Sequence, residues 1–147
     1  MMSLRDGSKK MSKSDPSAQS RIEMTDDADA IALKIKRAKS DSEPLPSEEA
    51  GLENRPEARN LVTIYATLSG ESVADVLTRF GGQGFGPFKT ALTEVVVNAI
   101  CPIASETERL LKEPGFLCDT LRAGARRASA IAEPIVSEAE TLVGFLK

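Results

Sequence analysis

A chain of 147 residues, 41% hydrophobic and 28% charged, is long enough for one domain with its own core and has the composition of a soluble globular protein. Its net charge of −3 argues against a generally basic nucleic-acid binder. The absence of any histidine removes Ser-His-Asp and Cys-His catalysis and most zinc sites. No apolar run approaches the roughly eighteen residues of a membrane span. Charges at Arg5, Asp6, Lys9 and Lys10 leave no apolar signal-peptide core. Cys101 and Cys118 stand alone on apolar helical stretches without a CxxC spacing, so core thiols and a cytoplasmic location are expected. The charge is uneven: residues 1–39 carry +3, residues 40–60 carry −4 and residues 61–147 carry −2. Any polyphosphate or RNA contact must therefore use local basic patches.

Residues 1–25 read as loop and short extended pieces. Lys9-Lys10-Met11-Ser12-Lys13 packs three ammonium groups into five residues, with Ser12 and Ser14 as hydroxyl donors. Lysines on flexible stems can follow phosphate oxygens as they move; the plainer reading is a solvated basic run. Asp15-Pro16-Ser17 is a turn signal. Arg21-Ile22-Glu23-Met24 alternates polar and apolar, which allows a short strand. Thr25-Asp26-Asp27 offers a hydroxyl cap and two carboxylates to the positive end of a helix. That helix is expected to run to about Lys39, with Ala28, Ile31, Ala32, Ile35 and Ala38 as its stripe. Lys34, Lys36, Arg37 and Lys39 crowd its last turns, either to complement the dipole or to meet phosphate.

Residues 40–54 form an acidic, proline-containing linker that is either an ordered functional loop or mobile. Pro56 opens a second helix whose buried face is Ala58, Leu61, Ile64, Tyr65 and Leu68, and Gly70 ends it. Ser72 caps a third through Val73, Val76, Leu77 and Phe80. The glycine-rich run Gly81–Gly86 follows a helix, not a strand, and is read as a connector instead of a phosphate cradle. Pro87 opens the longest helix, with Phe88, Leu92, Val95, Val96, Ala99, Ile103 and Leu110 at helical spacing and a kink expected at Pro102. After a break at Pro114-Gly115, a last helix carries Leu117, Leu121, Ala125, Ala128, Ile131, Ile135, Ala139 and Leu142 on one face and Arg122, Arg126 and Arg127 on its polar side. The fold class is all-α: a bundle of five or six helices with a loop at its front.

Lys10 to Ser14 reads KMSKS, which resembles the second signature of class I aminoacyl-tRNA synthetases. The flanks Met2-Ser3-Leu4, Asp6 and Asp15-Pro16-Ser17 are similar to those of tryptophan–tRNA ligases. So are Thr25-Asp26-Asp27, Lys36-Arg37-Ala38, Asp41-Ser42-Glu43, Arg55-Pro56, Asn60 to Tyr65, Leu68-Ser69-Gly70, Gly86 to Lys89 with Leu92, and Gly124-Ala125 with Arg127-Ala128. The likeness covers essentially all 147 residues and matches the carboxy-terminal half of such an enzyme. It implies that residues 1–25 are the signature loop and tail of a Rossmann-type catalytic domain and residues 26–147 an anticodon-binding helical domain. It also implies a fragment or truncated reading frame, because the first signature, the tryptophan pocket and most of the homodimer interface belong to the other half.

The implied chemistry is activation of tryptophan by ATP, followed by transfer to tRNA(Trp). Lys13 is expected to bind the departing pyrophosphate with Lys10 assisting. Ser12 and Ser14 would bond phosphate or shape the loop, and Met11 would offer backbone near the adenine. ATP enters as substrate with its own Mg2+, and no protein-bound metal or prosthetic group is expected. Lys34, Lys36, Arg37, Arg122, Arg126 and Arg127 are candidates for tRNA contact, not assigned by a motif. No membrane or DNA partner is expected. A stand-alone helical RNA-binding or interaction module derived from such a ligase is the alternative.

Overall fold

The structure, a computed structural model, describes residues 1–144. It holds five α-helices: α1 (Ala28–Arg37), α2 (Pro56–Ser69), α3 (Val73–Phe80), α4 (Phe85–Leu111) and α5 (Pro114–Val143). Short 3-10 turns lie at Ala18–Ser20 and Glu49–Leu52. The described residues form no strand beyond one isolated antiparallel bridge, Met2 to Lys10. None of their helices is long and apolar enough to cross a membrane.

The chain divides into two compact units, Met1–Ser105 and Glu106–Lys147, with the division inside α4. The first unit holds the core. Ile31 and Ile35 of α1, Leu61, Val62 and Tyr65 of α2, Val76, Leu77 and Phe80 of α3, and Phe88, Leu92 and Val96 of α4 are all buried, joined by Leu4, Leu45 and Leu52 from the loops. Tyr65, Phe80 and Phe88 meet edge-on or tilted, with ring centroids 5.2 to 5.8 Å apart, the geometry that the ring quadrupole favours. The Tyr65 hydroxyl accepts from the Arg79 guanidinium at 3.1 Å, so its one polar atom is satisfied.

Helix punctuation follows the sequence closely at α2 and α3. Pro56 sits at the first turn of α2, and Gly70 closes it at φ 75°, a left-handed position that glycine takes without penalty. Ser72 caps α3 by accepting from Asp75 N–H at 3.1 Å. Elsewhere the boundaries move. Asp27, not Thr25, caps α1, because the Asp26 carboxylate is turned back to accept from Glu23 N–H at 2.8 Å. Instead of entering a short strand, the chain turns at Glu23–Asp26. α1 stops at Arg37, not Lys39: Ala38 turns extended at ψ 137°, and Lys39 N–H reaches the Leu4 carbonyl at 2.7 Å. α4 begins at Phe85, so Pro87 falls in a first turn where a missing N–H costs no helix bond. The helix continues past Pro102 to Leu111. Pro114 opens α5 instead of standing ahead of it.

The acidic linker is ordered. Arg55 forks onto the Asp41 carboxylate and also donates to the carbonyls of Glu43 and Pro44 at 3.0 and 2.8 Å. The backbones of Leu45, Gly82 and Gln83 tie the linker to the end of α3. Gly81 must be glycine there: a Cβ would lie 2.5 Å from the Leu77 carbonyl oxygen and 2.8 Å from Ser47 Cα.

In the second unit α5 buries none of its described side chains. Leu121 is 72% exposed, Ile131 71% and Ile135 65%, so the apolar stripe read from the sequence exists as a face but is bare. Surface pairs such as Arg109 with Glu106 and Glu113 decorate this unit, where solvent screens them and little stability comes from them.

Candidate functional site

The KMSKS stretch is a loop held at both ends. On its leading side residues 2–10 fold back on themselves. Ser3 N–H donates to the Lys9 carbonyl at 2.8 Å, Met11 N–H to the Met1 carbonyl at 3.3 Å, and Lys9 N–H to the Asp6 carbonyl at 3.1 Å. Asp6 braces the turn by accepting from the Ser8 hydroxyl and Ser8 N–H at 2.6 and 3.1 Å. Those bonds, with Lys9 beside them, hold its carboxyl at about 2, below the ordinary range. Leu4 is the peg: its side chain is buried, its N–H donates to the Ser20 carbonyl at 2.9 Å and its carbonyl accepts from Lys39.

On the trailing side, Ser14 N–H donates to the Ser12 hydroxyl and Ser17 N–H to the Asp15 carboxylate, two local turns that small polar side chains favour. Arg21 then reaches back, donating to the Asp15 carbonyl at 2.9 Å while pairing with Glu23. Between the two anchors the side chains divide. Met11 is half-buried and packs against the core. Lys10, Ser12, Lys13 and Ser14 are exposed. Neither the Lys10 nor the Lys13 ammonium has an ion pair or hydrogen bond among the described residues. A backbone held on both sides and two unpaired ammonium groups at its tip can receive a polyphosphate without first breaking a salt bridge of Lys10 or Lys13.

The leading arm lies on the start of α2. Asn60 is buried; its Oδ1 accepts from Met2 N–H at 2.9 Å, and its Nδ2 donates to the carbonyls of Met2 and Ser3 at 2.9 and 3.4 Å. Gly7 presses on the same turn, where a Cβ would come within 2.5 Å of Glu57 N. Glu57 pairs with Lys39 at 2.8 Å, which holds its carboxyl below the ordinary value and raises the Lys39 ammonium. None of these contacts was singled out from the sequence, although Asn60 opens one of the stretches whose likeness to tryptophan–tRNA ligases was read there.

The basic residues considered for tRNA scatter. Lys34 is buried at 5% exposure and its ammonium pairs with Asp26 at 2.5 Å, so it faces protein. Lys36 and Arg37 are exposed on α1. Lys36 borders a cleft of about 590 Å³ lined also by Phe85, Lys89, Thr90 and Thr93. Lys89 spends its donors on the Ala38 carbonyl and Ser40 hydroxyl, and burial lowers its pKa. Arg122, Arg126 and Arg127 are exposed on α5, with Arg122 paired to Asp119 at 3.1 Å. Lys36 and Arg37 belong to the first compact unit, the three arginines to the second.

Comparison with known proteins gives this loop a family context. The chain is 54% identical over its full length to the tryptophan–tRNA ligase of Agrobacterium fabrum and 53% identical to that of Mesorhizobium japonicum. It spans 42% and 41% of those relatives, about two-fifths of their length. The crystal structure of the tryptophanyl-tRNA synthetase of Mycoplasma pneumoniae superposes with a TM-score of 0.73 at 29% identity, over 99% of this chain and 45% of that one. The family model described as tRNA synthetases class I (W and Y) matches residues 1–100, two-thirds of the chain and all of the loop with its anchors. The chain belongs to the class I tRNA synthetases (W and Y).

Proposed function

We propose that this chain works as the carboxy-terminal part of a tryptophan–tRNA ligase, supplying the pyrophosphate-binding loop and a helical tRNA-reading surface. The observation that carries the reading is the loop clamped at both ends, with the Lys10 and Lys13 ammonium groups exposed and unpaired between the clamps. When tryptophan attacks the α-phosphate of ATP, negative charge builds on the departing pyrophosphate. Ammonium groups positioned for that charge lower the barrier without covalent chemistry. Lys13 takes the leaving phosphates and Lys10 assists, while Ser12 and Ser14 donate to phosphate or hold the turn. Mg2+ arrives with ATP. Removing one such donor slows activation by about ten- to a thousand-fold.

The division of labour, residues 1–25 for the nucleotide site and residues 26–147 for the tRNA, runs inside the compact unit Met1–Ser105 and so is one of role, not of folding. Of the basic candidates, Lys36, Arg37, Arg122, Arg126 and Arg127 are exposed enough to meet tRNA(Trp), whereas Lys34 serves the fold. The full enzyme would work as a homodimer in the cytoplasm. Alone the chain would be inactive, because one wall leaves ATP open to water and tryptophan without a pocket.

The test is tryptophan-dependent pyrophosphate–ATP exchange, with the chain alone and then with a nucleotide-binding half added, using wild type and Lys13→Ala. Activity only on mixing, lost with Lys13→Ala, is the expected result. Exchange by the chain alone overturns the account of a shared site. Silence in both cases, with tRNA still bound, favours a stand-alone RNA-binding module.

A further inference from the structure

The loop's lysines are exposed and unpaired among the described residues, whereas the arm that leads to them is held by hydrogen bonds. Asn60 joins that arm to α2 with both ends of its amide. Its Oδ1 accepts from Met2 N–H and its Nδ2 donates to the Met2 and Ser3 carbonyls. Ser3 N–H in turn bonds the Lys9 carbonyl, and Met2 bridges Lys10. Two hydrogen-bond steps therefore run from a buried helix side chain to the carbonyl of Lys9, the residue directly before the first lysine of the signature. An amide is suited to this task, because it offers both an acceptor and donors without charge. Leucine would fill the space but leave one N–H and two carbonyls of the arm unanswered.

We infer that Asn60 is a positioning residue for amino-acid activation: it sets the register of the leading arm so that the loop closes with Lys10 and Lys13 on the pyrophosphate. This inference rests on the pyrophosphate reading of the loop. Asn60 touches no reacting atom, and its effect passes through the loop. A displacement of about 1 Å at such a distance from the chemistry can cost about a hundred-fold in rate.

The test uses a chimaera in which this chain replaces the matching segment of a full-length ligase relative, assayed by pyrophosphate exchange. Asn60→Ala is measured alone, and again in a Lys13→Ala background. The expected result is a drop in turnover of about ten- to a hundred-fold, an unchanged KM for tryptophan, and little further loss once Lys13 is gone. A merely structural role predicts something else: a lower melting temperature with normal turnover of the folded protein, or the same loss with and without Lys13. Either result overturns the inference. If Lys13→Ala itself leaves exchange intact, the pyrophosphate reading falls and the inference with it. If Asn60→Ala does not fold, Asn60→Asp goes through the same cycle. It keeps the acceptor for Met2 N–H and loses both donors, so it is expected to slow exchange through Lys13 in the same way. Full activity of Asn60→Asp overturns the inference.

Discussion

Lys34→Ala tests most sharply whether burial or charge decides what a basic residue does in this chain. The Lys34 ammonium is enclosed at 5% exposure and pairs with Asp26, whose carboxylate also accepts from Glu23 N–H. Truncating the lysine leaves that largely enclosed carboxylate, 11% exposed, with a single remaining bond. Breaking a buried pair from one side costs about 3 kcal/mol, at the low end of the usual range because the Glu23 bond survives. With a urea slope of about 1.5 kcal/mol per M, the midpoint falls by about 2 M. Urea titration at pH 7, followed by far-UV circular dichroism, reads this directly. Filter binding of tRNA by the folded variant reads the other possibility. Lys34→Ala is expected to bind tRNA as wild type does, whereas Lys36→Ala, which removes an exposed charge, lowers affinity and reduces the salt slope by about one. A Lys34→Ala protein with an unmoved midpoint and weakened tRNA binding would refute the reasoning.

Two further predictions follow from the anchors. Arg55 beside Asp41 holds that carboxyl below its ordinary value of 3.8. The pair's contribution is therefore complete above about pH 4 and fades as pH falls through the lower folded value. The stability difference between wild type and Asp41→Asn should be flat from pH 7 to about 4 and shrink below it; a difference already gone at pH 5 contradicts the assignment. Gly7→Ala places a methyl 2.5 Å from the backbone of Pro56 and Glu57, neither of which can swing aside. It should lower stability by about 1–3 kcal/mol, seen as a fall in melting temperature, and an unchanged melting temperature would mean that the arm lifts off α2 without cost.

Much of the fold was legible in the sequence, for local reasons. Pro56, Gly70, Ser72 and Gly81 announce helix ends by their own backbone chemistry, and Phe88, Leu92 and Val96 announce a buried stripe by spacing. What depended on a neighbour far along the chain was not legible. Lys34 stands among four basic residues that look alike; only the turn at Glu23–Asp26 makes it the buried one. The linker's order comes from Arg55, whose four acceptors lie eleven to fourteen residues earlier. α5 shows the converse. Periodicity specifies an amphipathic face but not what lies against it, and among the described residues nothing buries Leu121, Ile131 or Ile135. At the site, the motif identifies the loop, while the clamp by Asn60 carries no motif at all.

The aromatic trio has an optical consequence. The chain contains one tyrosine and no tryptophan. Its single ultraviolet fluorophore of any strength, Tyr65, lies in the core between Phe80 and Phe88 with Arg79 on its hydroxyl. Tyrosine emission therefore reports on the unit Met1–Ser105 and is blind to the thirty residues of α5, which dominate the helical ellipticity of the second unit. The same chain heated once and watched by both signals separates the melting of its two units without a label. In a mixture of this chain with free tryptophan, every indole photon comes from the amino acid.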